Sequence, residues 1–231
     1  MAGVVLLAAW YCGLSAWGAY QWRSETRIFS NIVRHDPDSI VGTAVYTYSL
    51  EREGRFREAA QVEMETLNKV FGSEAWRSAQ SALDAMHTDP RISFRARRNQ
   101  GTNEDPRIWI AGLYAQLASC LQKAGENDAA YRMLLIGERV WSNHTRIHLG
   151  LGYFAGMHGD YVEAARRYRM ALDIDRNNLA ANSGLGYSYA GMQRWSEAAD
   201  AFRRWLKLDP ESREARDRLR DAEERVRRSG R

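Results

Sequence analysis

An all-α chain, with an N-terminal transmembrane helix followed by a solenoid of helical hairpins and a C-terminal capping helix, is the fold class this 231-residue sequence predicts. Three observations predict it. Ala2 to Tyr20 form an uncharged apolar run, apolar and small residues recur at a 34-residue offset through the C-terminal half, and Ala215, Leu219, Ala222 and Val226 make a narrow apolar stripe in a charged tail. With 45% hydrophobic residues and four prolines, the composition suits a packed core rather than a disordered chain.

Composition also excludes some functions. The 33 basic and 29 acidic residues leave a surplus of +4, too small and too dispersed for a nucleic-acid partner. Lysine occurs only at Lys69, Lys123 and Lys207, and such an arginine excess points to a GC-rich, bacterial genome. Cys12 lies inside the apolar run and Cys120 far from it, so a disulfide framework is not expected.

The run AGVVLLAAWYCGLSAWGAY would span roughly 28 Å as a helix at ~1.5 Å per residue, close to the hydrocarbon thickness of a bilayer. Trp10, Trp17, Tyr20 and Trp22 suit an interfacial belt, and Arg23 is the first charge beyond it. Residues 1–22 are therefore expected to contact the lipid bilayer as an anchor. An apolar helix docked on the solenoid is an alternative. A cleaved signal peptide fits less well, because a basic leading region is missing and Ala16-Trp17-Gly18 is a poor cleavage site.

The repeat is clearest in the last two units. Leu185-Gly186 superpose on Leu151-Gly152, Ala198 on Ala164, Phe202 on Tyr168 and Trp205 on Ala171, each 34 residues apart. One period earlier the same slots hold Leu117-Ala118, Ala130 and Leu134, with Gly125 at the turn. Small residues let one helix approach another closely, and large ones fill the space left. Pro210 should end its helix, since proline lacks an N–H and disfavours helix before it. The pattern resembles the tetratricopeptide repeat over most of residues 23–212. Asp175-Arg176 depart from it, standing where that family usually has proline.

The units implied are residues 38–72, 106–144, 145–178 and 179–212, with a cap at 213–231. In the first of them Tyr46, Leu50, Gly54 and Ala59 occupy the expected slots. Phe29, Ile32 and Pro37 match Phe202, Trp205 and Pro210, so residues 23–37 read as a half repeat, a second helix whose first helix has been replaced by the apolar segment. An apolar helix, then Trp22-Arg23-Ser24-Glu25-Thr26 with Phe29, then Asp36-Pro37, resembles the junction in polytopic membrane glycosyltransferases that end in tetratricopeptide repeats. That resemblance implies an extracytoplasmic location. The catalytic membrane domain of such enzymes has no counterpart here.

Residues 73–105 break the period. Ser73 to His87 read as a helix, and the polar stretch after it gathers Arg91, Arg95, Arg97, Arg98 and Arg107. These arginines form either a solvated loop or a docking patch for lipid head groups or an acidic partner, since guanidinium forks suit phosphate and carboxylate. The tail reads as a solenoid cap, with a coiled-coil contact as the alternative.

No catalytic arrangement is apparent, and neither an enzyme nor a cofactor is expected. His144 and His148 could share a helix face but lack a third ligand nearby, so no metal site is assigned. Gly150, Gly152 and Gly156 suit close helix packing rather than a phosphate loop.

The tetratricopeptide resemblance implies that the first helix of each hairpin lines a concave surface, with the second, fifth, ninth, twelfth and thirteenth slots facing inwards. The ninth slot holds Tyr48, Ser119, Tyr153 and Tyr187, and neighbouring slots supply Arg52, Gln122, Lys123, Arg146 and Met157. Tyrosines there offer rigid contact area with a hydroxyl handle, unless they pack between adjacent helices. The function this implies is a membrane-anchored scaffold binding partner proteins, as a subunit or assembly factor of a membrane complex. An accessory domain of a membrane glycosyltransferase system and a chaperone of exported polypeptides are the alternatives. The expected location is a bacterial inner membrane with the repeats in the periplasm, although Arg23, Arg27 and Arg34 after the anchor would by the positive-inside rule place them in the cytoplasm.

Overall fold

The computed structural model describes residues 25–35, 40–92 and 105–229, and these are helical with short connections. α1 (Glu25–His35) packs on α2 (Ile40–Arg52), which pairs with α3 (Phe56–Phe71). A 3-10 turn (Glu74–Arg77) and α4 (Ala79–Thr88) follow. The hairpins α5 (Pro106–Lys123) with α6 (Asn127–Val140), α7 (Thr145–Met157) with α8 (Tyr161–Ile174), and α9 (Leu179–Gly191) with α10 (Trp195–Leu208) come next, and α11 (Arg213–Ser229) lies on α10. Among the described residues no helix is long and apolar enough to cross a membrane. The predicted anchor at residues 1–22 and Pro37 of the half repeat lie outside the described residues.

The four hairpins close by one device. At each turn two backbone bonds run back into the preceding helix. Gly54 N donates to Glu51 O and Arg55 N to Leu50 O, at 3.0 and 2.9 Å, and the pairs at Gly125-Glu126, Gly159-Asp160 and Gln193-Arg194 repeat the pattern. This is the Schellman arrangement, which satisfies helix-end carbonyls and requires a left-handed residue. Glycine supplies it in three turns, while Gln193 adopts φ 59 in the fourth. Between hairpins, the absence of proline at Arg176 changes little. Asp175 N bonds Ala171 O just as Asp209 N bonds Trp205 O, both at 2.9 Å, and Asn178 caps α9 by accepting from Ala181 N.

Buried side chains gather in three clusters, one from Leu50 through Leu67, Trp76, Ile110, Tyr114, Leu117, Leu134 and Ile147 to Phe154, a small one at Ala165, Leu185 and Ala201, and one at Phe202, Trp205, Ala215 and Ala222. Small residues set the approach of the helices. A Cβ at Gly186 would fall on the Phe202 ring, and one at Gly152 would lie 3.1 Å from the Tyr168 ring. The described part of the segment that breaks the period, residues 73–92, is docked as well. Trp76 is buried, its Nε1 donates to Asn68 Oδ1 at 2.6 Å, and Tyr114 Oη donates to the Trp76 carbonyl at 2.8 Å. α4 rests on α6, with Ala82 fully buried.

Candidate partner-binding groove

α2, α5 and α7 are the first helices of their hairpins, and between them runs a groove of about 500 Å³. Its walls are Tyr48 from α2 and Tyr153 from α7, which are 60% and 42% exposed, with Ser119, Gln122, Leu149 and Gly150 between them. Tyr153 is held on edge against the buried Phe154, with ring centroids 5.6 Å apart at 77°.

A chain of polar contacts crosses the groove floor. Arg146 Nη1 donates to Gln116 Oε1 at 2.9 Å, and Gln116 Nε2 donates to Glu51 Oε1 at 2.9 Å. The same oxygen accepts from Cys120 Sγ at 3.1 Å, and Glu51 Oε2 accepts from Lys123 Nζ at 2.5 Å. The Glu51 charge is thus answered by Lys123. Among the described residues Arg146 has only the neutral Gln116 side chain, so its charge is left for the groove. Burial, and then the Glu51 carboxylate beside it, pushes the Cys120 thiol far up, so it is an unreactive donor.

Of the residues the repeat frame assigns to the concave face, the fold brings Tyr48, Ser119, Gln122, Arg146 and Tyr153 to this groove, with Lys123 tied to its edge. Tyr187 is elsewhere. Its hydroxyl donates to Glu214, Arg218 Nε donates to it at 3.2 Å, and the Arg218 guanidinium lies 5.3 Å above its ring. Phe202 and Trp205 back it at 5.5 and 6.2 Å, so the capping helix claims this tyrosine. Arg52 is exposed at the end of α2. Met157 lines a separate hollow of about 590 Å³ between α6, α7 and α8, with Tyr131, His158 and Asp160. Glu51 and Gln116 escaped the sequence reading, although Glu51 stands in the twelfth slot of its helix.

The arginine patch is only partly described. Arg91 bonds its neighbour Asp89, with Nε–Oδ1 at 2.9 Å, and Arg107 bonds Asp105, with Nη2–Oδ2 at 2.6 Å, while stacking 5.0 Å from the Trp141 ring. Arg95, Arg97 and Arg98 lie outside the described residues. Burial holds His144 and His148 below the ordinary histidine range, so both rings are neutral at pH 7. Among the described residues no three His, Cys, Asp or Glu side chains converge as metal ligands.

Residues 157–223 match the tetratricopeptide-repeat family. The match takes in the end of α7, the whole of α8, α9 and α10 and part of α11, and the hairpins ahead of it share the same helix-turn-helix architecture. The crystal structure of MamA superposes with a TM-score of 0.50 at 15% identity, covering 80% of this chain and 86% of that one. The first such domain of Spaghetti (RPAP3), solved with an HSP90 peptide, gives 0.49 at 19% identity over 52% of this chain and 94% of its own. Protein O-mannosyl-transferase F38B6.6 of Caenorhabditis elegans is 28% identical over 82 residues, 36% of this chain. The matched stretch spans only 12% of that relative.

Proposed function

We propose that the chain is a membrane-anchored scaffold whose groove holds an extended segment of a partner protein, one that presents an acidic group to Arg146 and apolar side chains to Tyr48 and Tyr153. The observation that carries this reading is the makeup of the groove: two exposed aromatic walls, and an arginine between them with no carboxylate in ion-pair reach among the described residues. Aromatic side chains bury large area at low entropic cost, and a guanidinium matches a carboxylate through paired hydrogen bonds. Complementary charge sets which segments are accepted.

An array of heptapeptides in acidic, neutral and basic versions tests this. The chain should retain the acidic versions, and Arg146→Gln should abolish that preference. Replacing both Tyr48 and Tyr153 by alanine should weaken retained peptides at least ~10-fold, since truncating one interface anchor costs ~2 kcal/mol and ~1.4 kcal/mol is a decade. Undiminished binding by the double variant would move the interface away from this groove.

The apolar composition of residues 1–22 supports the membrane half of the proposal. Carbonate washing should leave the full chain in the membrane fraction, and quantitative release would overturn the anchor. A second reading, an accessory repeat domain acting in trans for a membrane glycosyltransferase as part of a membrane complex, is supported by the partial likeness to the mannosyl-transferase. Co-purification in mild detergent with a polytopic enzyme, rather than with other proteins, would favour it.

A further inference from the structure

Beneath the groove floor lies a second, enclosed group of polar side chains. Glu63 of α3 is 1% exposed and its Oε2 has no hydrogen-bond partner, and Thr47 of α2 is fully buried with its Oγ1 in the same condition. The titratable groups that act on this carboxyl come from three helices: Glu51 from α2, Cys120 from α5 with Lys123 next to it, and Arg146 from α7. The 3-10 turn meets α3 through a neutral contact, Trp76 on Asn68. Glu51, Lys123 and Arg146 also belong to the groove, so one set of charges serves both places.

Resting on the groove reading above, we infer that the groove is a proton-coupled binding site, in which an acidic group arriving at Arg146 draws a proton from solvent onto the Glu63 carboxylate. Burial raises this carboxyl to about 7; Glu51 adds to the rise, and Arg146 works against it. A ligand carboxylate on Arg146 cancels the one cationic influence that favours ionised Glu63 and adds a negative charge of its own. Both effects favour the neutral acid. By linkage, a ligand that promotes proton uptake is itself bound more tightly where the proton is available. Binding therefore weakens as pH rises through neutrality.

Carbon-detected NMR of the glutamate carboxyls in the full chain tests the coupling without any ligand. Glu63 should titrate near neutrality. Arg146→Gln should move its midpoint upward and Glu51→Gln downward. A Glu63 that titrates with the exposed glutamates, or one indifferent to Arg146→Gln, overturns the inference. The best acidic heptapeptide from the array then provides the binding arm. A half-unit rise in the Glu63 midpoint on binding corresponds to an affinity about 2.5-fold lower at pH 8 than at pH 6, a dependence that Glu63→Gln should flatten. A peptide bound equally at both pH values by the unaltered chain overturns the coupling and leaves the groove standing. Absence of any acidic-peptide binding overturns both.

Discussion

At position 63 a carboxyl stands where the sequence suggests water. Glu63 lies in Arg57-Glu58-Ala59-Ala60-Gln61-Val62-Glu63, where no local signal sets it apart from the exposed Arg57 and Glu58, and it is the packing of α2 and α5 against α3 that encloses it. Its folded pKa of about 7 stands above the ordinary 4.5, so the neutral acid is the favoured folded form. Its contribution to stability is complete below pH 4.5 and is lost as pH rises through 7. The full difference, about 2.5 units, is worth about 3.5 kcal/mol at about 1.4 kcal/mol per unit. Glu63→Gln, which keeps the shape without the charge, should therefore raise the urea midpoint at pH 8 and leave it nearly unchanged at pH 4.5. Tyr187 teaches a related lesson. It shares a slot with Tyr153, and the period marks the two as equivalent, but Glu214 and Arg218 belong to a helix outside the period, so their hold on Tyr187 could not be read from it. What the repeat frame did locate were side chains whose neighbours repeat too, such as Phe202 over Gly186.

Among the elements, the hairpins were the most legible, because their signals are local: a glycine at the turn and small residues facing large ones. Gly54, Gly125 and Gly159 all adopt positive φ and close their turns, Gly125 at the turn where the repeat frame puts it. The fourth turn has the same geometry with Gln193, at the steric cost that any side chain meets in the left-handed region. The 3-10 turn and α4 were less legible, since Trp76 finds its partners in Asn68 of the preceding helix and Tyr114 of a following one. Gly186→Leu is the decisive substitution at this scale. The new side chain would enter the space of the Phe202 ring, and overpacking of this kind costs ~1–3 kcal/mol. Thermal unfolding followed by circular dichroism should shift downward accordingly. Hydrogen exchange should quicken first in α9 to α11, because stability in a stacked array is a sum of local terms. An unchanged melting curve would contradict the close approach of α9 and α10.

For the molecule as a whole, the order of helices places α2, α5 and α7 along one groove while the inserted 3-10 turn and α4 lie against α3 and α6, and α11 closes the C-terminal end. That closure has a consequence for the length of the groove. By holding Tyr187 through Glu214 and Arg218, α11 behaves as a resident guest in the last berth, so the number of berths open to visitors is one fewer than the number of hairpins. A longer receptor could then be built by splicing a second copy of residues 145–178 ahead of residue 179. The joint is nearly prepared for it: Tyr168 lies against Gly184, and the copy would offer Gly150 in the same register. Tyr161, however, lies against Gly191, where the copy would bring Met157. The inserted unit should fold into the array only when it carries Met157→Gly, and it should then add one free tyrosine berth and tighten longer acidic peptides while leaving heptapeptides unaffected.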